Sequence, residues 1–227
     1  MNSEKVVISL GGSLIVPEKV DINFLKDFKE LILSEVEKGK EFIIVCGGGN
    51  TNREYNKAAQ EIASPSTEDL DWIGIATIML NAEFLRVIFG DKAHEKAIPD
   101  LLQIPKTDKP IIIGGALEPG HSSDLDTIQA ARATGVKTII NLSNTDYVYD
   151  SDPRANPDAK KIEKISWAEY RKLIPTEWTA KLNSPFDPIA SEIAEREGIT
   201  VVTMNGKNIE NLKKCLDGEE FIGTKIY

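Results

Sequence analysis

The chain has 227 residues, a hydrophobic fraction of 41%, a charged fraction of 28% and a formal net charge of −9. This length suits one large α/β domain, and the composition is that of a soluble globular protein. The acidic balance argues against a general nucleic-acid-binding protein, which normally carries a basic face. It leaves an anionic small ligand open, because local N–H groups and a metal ion can outweigh a distant negative surface.

Cys46 and Cys215 are the only cysteines in the sequence. Two cysteines in a chain of this size are typical of reduced thiols in a cytoplasmic protein. No run approaches 18 apolar residues, and the first residues lead directly into a strand pattern. We therefore expect a cytoplasmic protein with neither a membrane nor a nucleic acid as partner.

Short apolar runs and helical periodicities alternate along the chain. The predicted strands are residues 5–10, 41–46, 111–113, 138–141, 200–204 and 224–226. The predicted helices are residues 21–39, 50–62, 67–89, 122–133, 166–173, 187–197 and 208–216, with Asn50 and Thr51 as the expected caps of the second. This alternation predicts a sheet covered by helices on both faces. No break in composition divides the chain, so we expect a single domain over 1–227.

Three glycine-rich turns each follow an apolar run: Gly11-Gly12-Ser13, Gly47-Gly48-Gly49, and the segment GGALEPGHSSD at 114–124. A glycine just past a strand lets backbone N–H groups approach a ligand closely, because no Cβ intervenes. A helix that follows adds free N–H groups and a dipole that favour an anion. A single such turn is most simply a tight connection. Three together favour a site for one extended phosphate-rich ligand, or for two ligands that meet end to end.

The chemical roles of single residues in and beside these turns need separate interpretation. Segment 115–122 nearly matches a P-loop, but His121 replaces the lysine, which argues against that motif. Asp124 is either a simple helix cap or a carboxylate that orients a cation or the acceptor. Arg53, in the first turn after the triple glycine, is either a surface charge or a bidentate phosphate ligand. With His94 as the only other histidine, no histidine-based metal site is predicted.

Seven segments of the sequence resemble the amino acid kinase superfamily, and most closely its archaeal-type UMP kinases. They are VVISLGGSLI (6–15), IIVCGGGNTNREY (43–55), DWIGIATIMLNA (71–82), GGALEPGHSSD (114–124), SNTDYVYDSDPRANPDAKKI (143–162), SPFDPIASEIAEREGI (184–199) and GTKI (223–226). The resemblance implies the amino acid kinase fold, a three-layer αβα sandwich with a mostly parallel eight-stranded sheet. It also implies an acceptor-binding part at about 1–135 and an ATP-binding part at about 136–227.

The resemblance implies transfer of the γ-phosphoryl group of ATP to UMP, with Mg²⁺ held mainly through the ATP phosphates. The implied catalytic residues are Asp124, Arg53 and Gly12. The implied UMP-binding residues are Gly48, Asp71, Glu118, Pro119, Gly120, His121, Ser122, Ser123 and Asp124. The implied ATP-binding residues are Gly11, Gly12, Ser13, Gly49, Arg53, Ser143, Tyr149 and Asp152.

Two of these residues match specific roles in the family. Asp71 matches the carboxylate that binds the UMP ribose, and Asp124 matches the residue that organises the reacting centre. The resemblance further implies a homo-oligomer, a hexamer or a dimer, assembled through the helix after the second glycine turn.

Three residues depart from the superfamily pattern. Ser9 stands where many of these kinases carry a lysine, although archaeal-type UMP kinases also lack it. Met79 stands where an arginine is usual, and Tyr147 replaces a glycine next to the adenosine site.

Two alternatives therefore stay open. One is the same fold with another acceptor, such as isopentenyl phosphate, a carbamate or a carboxylate. The other is a catalytically silent protein that binds a nucleotide or an anion. Asp71 and the loop before Asp124 favour a nucleotide acceptor, and the presence of Arg53 and Asp124 favours a catalyst.

Overall fold

The computed structural model describes residues 4–120, 122–153, 155–176 and 184–227. Within them the strands are β1 (Glu4–Leu10), β2 (Lys40–Cys46), β3 (Ile111–Gly114), β4 (Thr138–Ser143), β5 (Val148–Tyr149), β6 (Lys161–Ile162), β7 (Lys164–Ile165), β8 (Thr200–Asn205) and β9 (Thr224–Ile226). The helices are α1 (Gly12–Ile15), α2 (Ile22–Glu37), α3 (Gly49–Ile62), α4 (Thr67–Phe89), α5 (Ser123–Thr134), α6 (Trp167–Tyr170), α7 (Pro188–Glu197) and α8 (Ile209–Leu216), and a 3₁₀ turn (Gly90–Lys92) extends α4.

Seven strands form one sheet in the order β3-β2-β1-β4-β8-β9-β7. The first five run parallel, β9 is antiparallel to β8, and β7 is parallel to β9. The mostly parallel α/β sheet is therefore confirmed. The predicted count of eight strands is wrong for the described residues, because part of the chain after β4 pairs with itself. There β5 and β6 form a separate antiparallel ribbon instead of joining the sheet.

Both faces of the sheet are covered, which explains why its central strands are continuous apolar runs. On one face Ile8 packs with Phe28 of α2 in a core that also takes in α4 and α8. On the other face Val7 packs with Phe186 and Tyr170, in a core that includes α5 and α7. The sheet and its two helical layers form the three-layer sandwich that the sequence predicts.

Most helices begin where the sequence predicts a cap. The side chains that accept a backbone N–H at a helix start are Asp21, Ser66, Ser122, Ser166, Asp187 and Asn208. The prediction that Asn50 and Thr51 cap α3 is wrong. That helix begins at Gly49 itself, and its N-cap Gly48 supplies no side chain. The first N–H groups of α3 are consequently not satisfied by a side-chain cap.

The long helix α4 is apolar enough that, with its 3₁₀ extension, it meets the length and composition of a membrane span, the single described helix to do so. Only 33% of the qualifying window is buried in this structure. The helix packs on β3 and β2 and contributes Leu85 and Phe89 to the first core. Core helices of globular proteins have the same composition.

A buried ion pair ties the ends of three elements together at the edge of the sheet where the strands begin. Glu35 of α2 is fully buried, and its carboxylate accepts hydrogen bonds from Lys38 Nζ at 2.6 Å and Lys40 Nζ at 2.5 Å. Lys40 also donates to the Leu216 carbonyl at the end of α8, at 2.8 Å. Burial alone would raise the pKa of Glu35, but the two ammonium groups outweigh it and hold the pKa below its usual value.

We predict that Glu35→Gln destabilises the fold by about 3 kcal/mol, because it leaves the buried Lys40 ammonium without its counter-charge. Urea denaturation at neutral pH measures the loss in the free energy of unfolding. Glu37→Gln, at an exposed position of the same helix, is the matched control and should cost less than about 0.5 kcal/mol. Equal losses in the two variants would contradict the role assigned to the ion pair.

Candidate active site

The glycine turns meet at one edge of the sheet. The five parallel strands end on the same side, and β1 lies between β2 and β4. From β1 the chain moves outward to β2 and β3 and then returns to the other side of β1 as β4. Ligands of open parallel sheets bind at such a reversal of strand order, outside the carboxyl ends of the strands. The loops after β1, β2, β3, β4 and β8 all lie at this edge.

The first two glycine turns interlock backbone to backbone. A Cβ placed on Gly12 would lie 2.6 Å from the Gly47 carbonyl carbon and would also overlap Gly49 N. A Cβ on Gly47 would lie 2.6 Å from Gly12 N. Gly49 adopts a φ of +68°, which side chains other than hydrogen rarely allow. The close contact between the turns therefore requires glycine at these three positions.

This contact leaves four backbone donors unused. In the described part of the chain, the N–H groups of Gly12, Ser13, Gly48 and Gly49 donate to no other group. They include the first N–H groups of α1 and α3, which have no partner within their helices. The neighbouring donors are satisfied: Gly47 N donates to the Leu10 carbonyl at 3.0 Å. Four free donors on two touching turns are the chemistry of an anion-binding site.

The third turn is held by α4. Asp71 Oδ2 accepts a hydrogen bond from Gly120 N at 3.0 Å, and Gly120 has a φ of +95°. Glu118 and Gly120 are exposed, and Pro119 is partly so. His121 lies outside the described residues, so the structure leaves its predicted role untouched.

The start of α5 carries the hydroxyl and carboxyl residues predicted for the acceptor. Ser122 Oγ accepts from Asp124 N at 3.2 Å and so caps the helix, while Ser123 is its first residue. The cap is therefore Ser122, and the Asp124 carboxylate is left for another partner.

That partner comes from the start of α7, which packs beside α5 on the same face of the sheet. Asp124 Oδ2 accepts a hydrogen bond from Asp187 N at 2.9 Å. Burial raises the pKa of Asp124 to about 7, and the negative charges of Asp187 and Asp126 add to the rise, while the Asp187 N–H opposes it. Near neutral pH, Asp124 is thus divided between its acid and its carboxylate form.

Asp187 is a residue of this site that the sequence pattern assigned only to a helix start. Its Oδ1 accepts the Ala190 N–H at 2.8 Å and caps α7. Its Oδ2 is buried and has no hydrogen-bond partner among the described residues. The Asp-Pro pair at 187–188 signals a helix N-terminus, and nothing in one sequence indicates that α7 meets α5 there.

Arg53 is the fifth residue of α3, four residues after Gly49. Its side chain is exposed, and Nη2 is 3.4 Å from the Pro17 carbonyl, in the segment after α1. The guanidinium therefore joins α3 to the segment that follows α1, and its other N–H groups donate to no acceptor among the described residues.

The residues predicted to surround the adenosine lie after β4, on the other side of β1. Ser143 ends β4, and its Oγ lies 3.2 Å from Thr145 Oγ1 in a local turn. Tyr149 is in the β5–β6 ribbon, and Asp152 follows it in an exposed loop. The Gly11 N–H donates to the Leu142 carbonyl at 3.0 Å, which joins this region to the first glycine turn.

The three residues that depart from the superfamily pattern lie in different surroundings. Ser9 is buried in β1 between β2 and β4. Met79 lies under the third turn, where its sulfur occupies the space that a Cβ on Gly115 would need. Tyr147 packs edge-on against Tyr149, with ring centroids 6.5 Å apart, and Lys161 Nζ lies 4.9 Å from the centre of its ring.

Comparisons with known proteins agree with this geometry. The model of the amino acid kinase family matches residues 4–205. A uridylate kinase of Methanobrevibacter smithii is 34% identical over 226 residues, which cover 98% of each chain. A uridylate kinase of Pyrococcus abyssi is 32% identical over 218 residues, covering 95% of this chain and 96% of the relative.

Solved structures give the same result. The crystal structure of uridylate kinase from Archaeoglobus fulgidus has a TM-score of 0.83 at 30% identity, covering 98% of this chain and 100% of that one. The UMP kinase from Bacillus anthracis, with a TM-score of 0.80 at 22% identity, shares the fold over 100% of this chain and 96% of that one. The chain belongs to the amino acid kinase family.

Proposed function

We propose that this protein transfers the γ-phosphoryl group of ATP to UMP, giving ADP and UDP. The observation that carries the proposal is the set of four N–H groups, on the interlocked turns after β1 and β2, that donate to no acceptor in the part of the chain that the structure describes. Phosphoryl transfer requires little covalent chemistry from a protein, but it requires donors aimed at the charge of the transferred group. Full-length relatives named uridylate kinase support UMP as the acceptor.

The two substrates approach from opposite sides of these turns in our proposal. UMP lies over the part before about residue 135, with Asp71 on the ribose hydroxyls and segment 118–124 around the nucleotide. Gly48 and Asp124 face its phosphate. ATP lies over the part from about residue 136 onward, with Ser143, Tyr149 and Asp152 around the adenosine. Its phosphates reach Gly11, Gly12, Ser13, Gly49 and Arg53.

Mg²⁺ fits this site as an ion held mainly by the nucleotide. The described residues contain no group of three or more histidine, cysteine, aspartate or glutamate side chains that would hold a metal. Mg²⁺ is commonly bound by phosphate oxygens with only one or two carboxylates, and in our proposal Asp124 orients the ion. When bound, the ion supplies positive charge to the phosphates, while Arg53 and the free N–H groups orient them.

Two other functions compete with this proposal. The same fold with a different acceptor would keep the N–H groups and lose the contact of a ribose with Asp71. A silent binding protein would keep nucleotide affinity without turnover. The partly buried carboxyl group of Asp124, next to the buried Asp187, favours a catalyst, because acidic groups beside a bound anion would weaken simple anion storage.

The first test is ADP release from MgATP, coupled to an optical readout, with one acceptor at a time. We expect rapid turnover with UMP and little with CMP, dUMP, carbamate, amino acids or isopentenyl phosphate. Turnover with one of the other acceptors in preference to UMP would contradict the proposal. So would nucleotide binding without turnover for any acceptor, which would favour the silent protein.

We predict that Asp124→Asn abolishes turnover and leaves ATP binding measurable by calorimetry. The amide keeps the shape of the side chain, but it cannot carry the negative charge that orients the cation or the acceptor. Asp27→Asn, at an exposed position of α2, is the control and should retain full activity. Normal turnover in Asp124→Asn would overturn the assigned role.

The raised pKa of Asp124 also predicts how stability depends on pH. The pKa is about 7 in the folded chain against an ordinary value of 3.8 for aspartate, so the folded state holds this proton more tightly. The proton on Asp124 stabilises the folded state fully below about pH 4, and this stabilisation is lost as the pH rises through about 7. The thermal midpoint of Asp124→Asn should therefore rise relative to that of the wild type as the pH is raised from about 5 to about 8. A constant difference across this range, measured without nucleotide, would contradict the shifted pKa.

We further propose that the protein is a homo-oligomer, a dimer or a hexamer, assembled through α3. This 14-residue helix contains no buried residue, and Tyr55 and Ile62, seven residues apart on one face, are 64% and 86% exposed. Leu80 and Val87 of the adjacent α4 are each 60% exposed. A second copy over these residues would remove four exposed large side chains from water. With α4 covered in this way and small-molecule substrates, we expect the protein in the cytoplasm.

We predict that the double variant Tyr55→Glu/Ile62→Glu lowers the oligomeric state, because each carboxylate would be desolvated at the interface. Sedimentation velocity measures the change. The control is Ile22→Glu/Leu173→Glu, at two apolar residues exposed elsewhere, and it should sediment like the wild type. A monomeric wild type, or the same behaviour in both double variants, would contradict the interface.

A further inference from the structure

Helix α4 holds the second glycine turn through one buried side chain. Asn81 is 3% exposed, and its Nδ2 donates to the Gly47 carbonyl at 2.7 Å and to the Gly48 carbonyl at 3.2 Å. The amide group therefore bonds two consecutive peptide units of the turn. An asparagine in the middle of an apolar helix lowers the helix propensity, and burial of its amide has an unfavourable desolvation free energy. A compensating interaction is therefore expected at this position.

The geometry of the peptide bond gives these two hydrogen bonds a directional consequence. In a trans peptide the C=O and N–H groups lie in one plane and point in opposite directions, and the structure contains no cis peptide bond among the described residues. The Gly47 carbonyl shares its peptide with the Gly48 N–H, and the Gly48 carbonyl shares its peptide with the Gly49 N–H. Drawing both carbonyls towards α4 turns both N–H groups away from it.

These are two of the four N–H groups that have no partner in the described chain. A hydrogen bond to a carbonyl also polarises its peptide and strengthens the N–H of the same unit as a donor. Asn81 thus affects both the direction and the strength of the donors on the second turn, without reaching a substrate itself.

We propose that Asn81 is a positioning residue for phosphoryl transfer, which aims the Gly48 and Gly49 N–H groups at the phosphates. The inference rests on the proposed function for its kinetic consequence, but the orientation of the two amides holds for any phosphate-bearing ligand of this site.

A neighbouring residue on the same helix provides a control. Thr77 is also buried and lies near Gly48 and Asn52 in the seam between α3 and α4. Its hydroxyl donates within α4, to the Gly74 carbonyl at 2.8 Å, and so holds no part of the turn. Thr77→Val removes a buried polar group from the same seam while the bonds of Asn81 stay intact.

The kinetic test compares Asn81→Leu with Thr77→Val and the wild type, using MgATP and UMP below the melting temperature of each variant. We expect kcat to fall about tenfold to a hundredfold in Asn81→Leu, and to stay within about twofold of wild type in Thr77→Val. Asn81→Asp should lose as much as Asn81→Leu, since a carboxylate keeps the shape but cannot donate. A folded Asn81→Leu with kcat near the wild-type value, or equal losses in Thr77→Val, would overturn the inference.

A second readout does not depend on which acceptor is phosphorylated. The amide signals of the 16 glycines, in protein labelled with ¹⁵N-glycine, are followed while inorganic tripolyphosphate is added. The Gly48 and Gly49 signals should shift in the wild type and in Thr77→Val, and the shifts should shrink at least severalfold in Asn81→Leu. Wild-type shifts without UMP turnover would reject the acceptor and keep the inference. The inference itself would be rejected if the Gly48 and Gly49 signals of the wild type did not shift with tripolyphosphate. It would also be rejected if they shifted equally in the wild type and in Asn81→Leu.

Discussion

The close contact between the turns after β1 and β2 is the constraint on which the site depends. Gly12, Gly47 and Gly49 meet at distances that a single methyl group would prevent, and this approach leaves four N–H groups with no acceptor among the described residues. The parallel pairing of β1 with β2 brings the turns side by side, and the two apolar cores fix the strands. The anion-binding chemistry is thus a product of backbone packing, and the side chains around it refine what the backbone provides.

Helix α4 connects the parts of the acceptor side. Asp71 near its start holds the third turn through Gly120, and Asn81 ten residues later holds the second turn. Between them, Met79 fills the space beneath Gly115. The opposite face of the helix is exposed and apolar. One rigid helix therefore sets the spacing of the second and third glycine turns. A protein that packs on the outer face of α4 would affect the positions of both turns.

Periodicity and glycine punctuation predicted most of the fold from the sequence, because buried parallel strands and capped helices leave strong local patterns. They failed for the two-residue strands β5 to β7, which are too short to show a period, and for the start of α3, which a backbone turn and not a capping side chain begins. The glycines and Asp124 were predicted as site residues from local pattern and resemblance. Asp187 and Asn81 were not, because their partners lie 63 and 34 residues away in the chain, and a single sequence does not show such contacts.

The pKa of about 7 at Asp124 has a consequence for the heat that accompanies ligand binding. A positive ion arriving beside this group favours its carboxylate form, so at neutral pH a fraction of the protein molecules must give up a proton as a metal-bearing nucleotide binds. The buffer takes up that proton, and its own ionisation enthalpy becomes part of the observed signal. Calorimetric titrations in phosphate and in Tris buffer would then differ in apparent enthalpy while agreeing on affinity, and the difference counts the protons released.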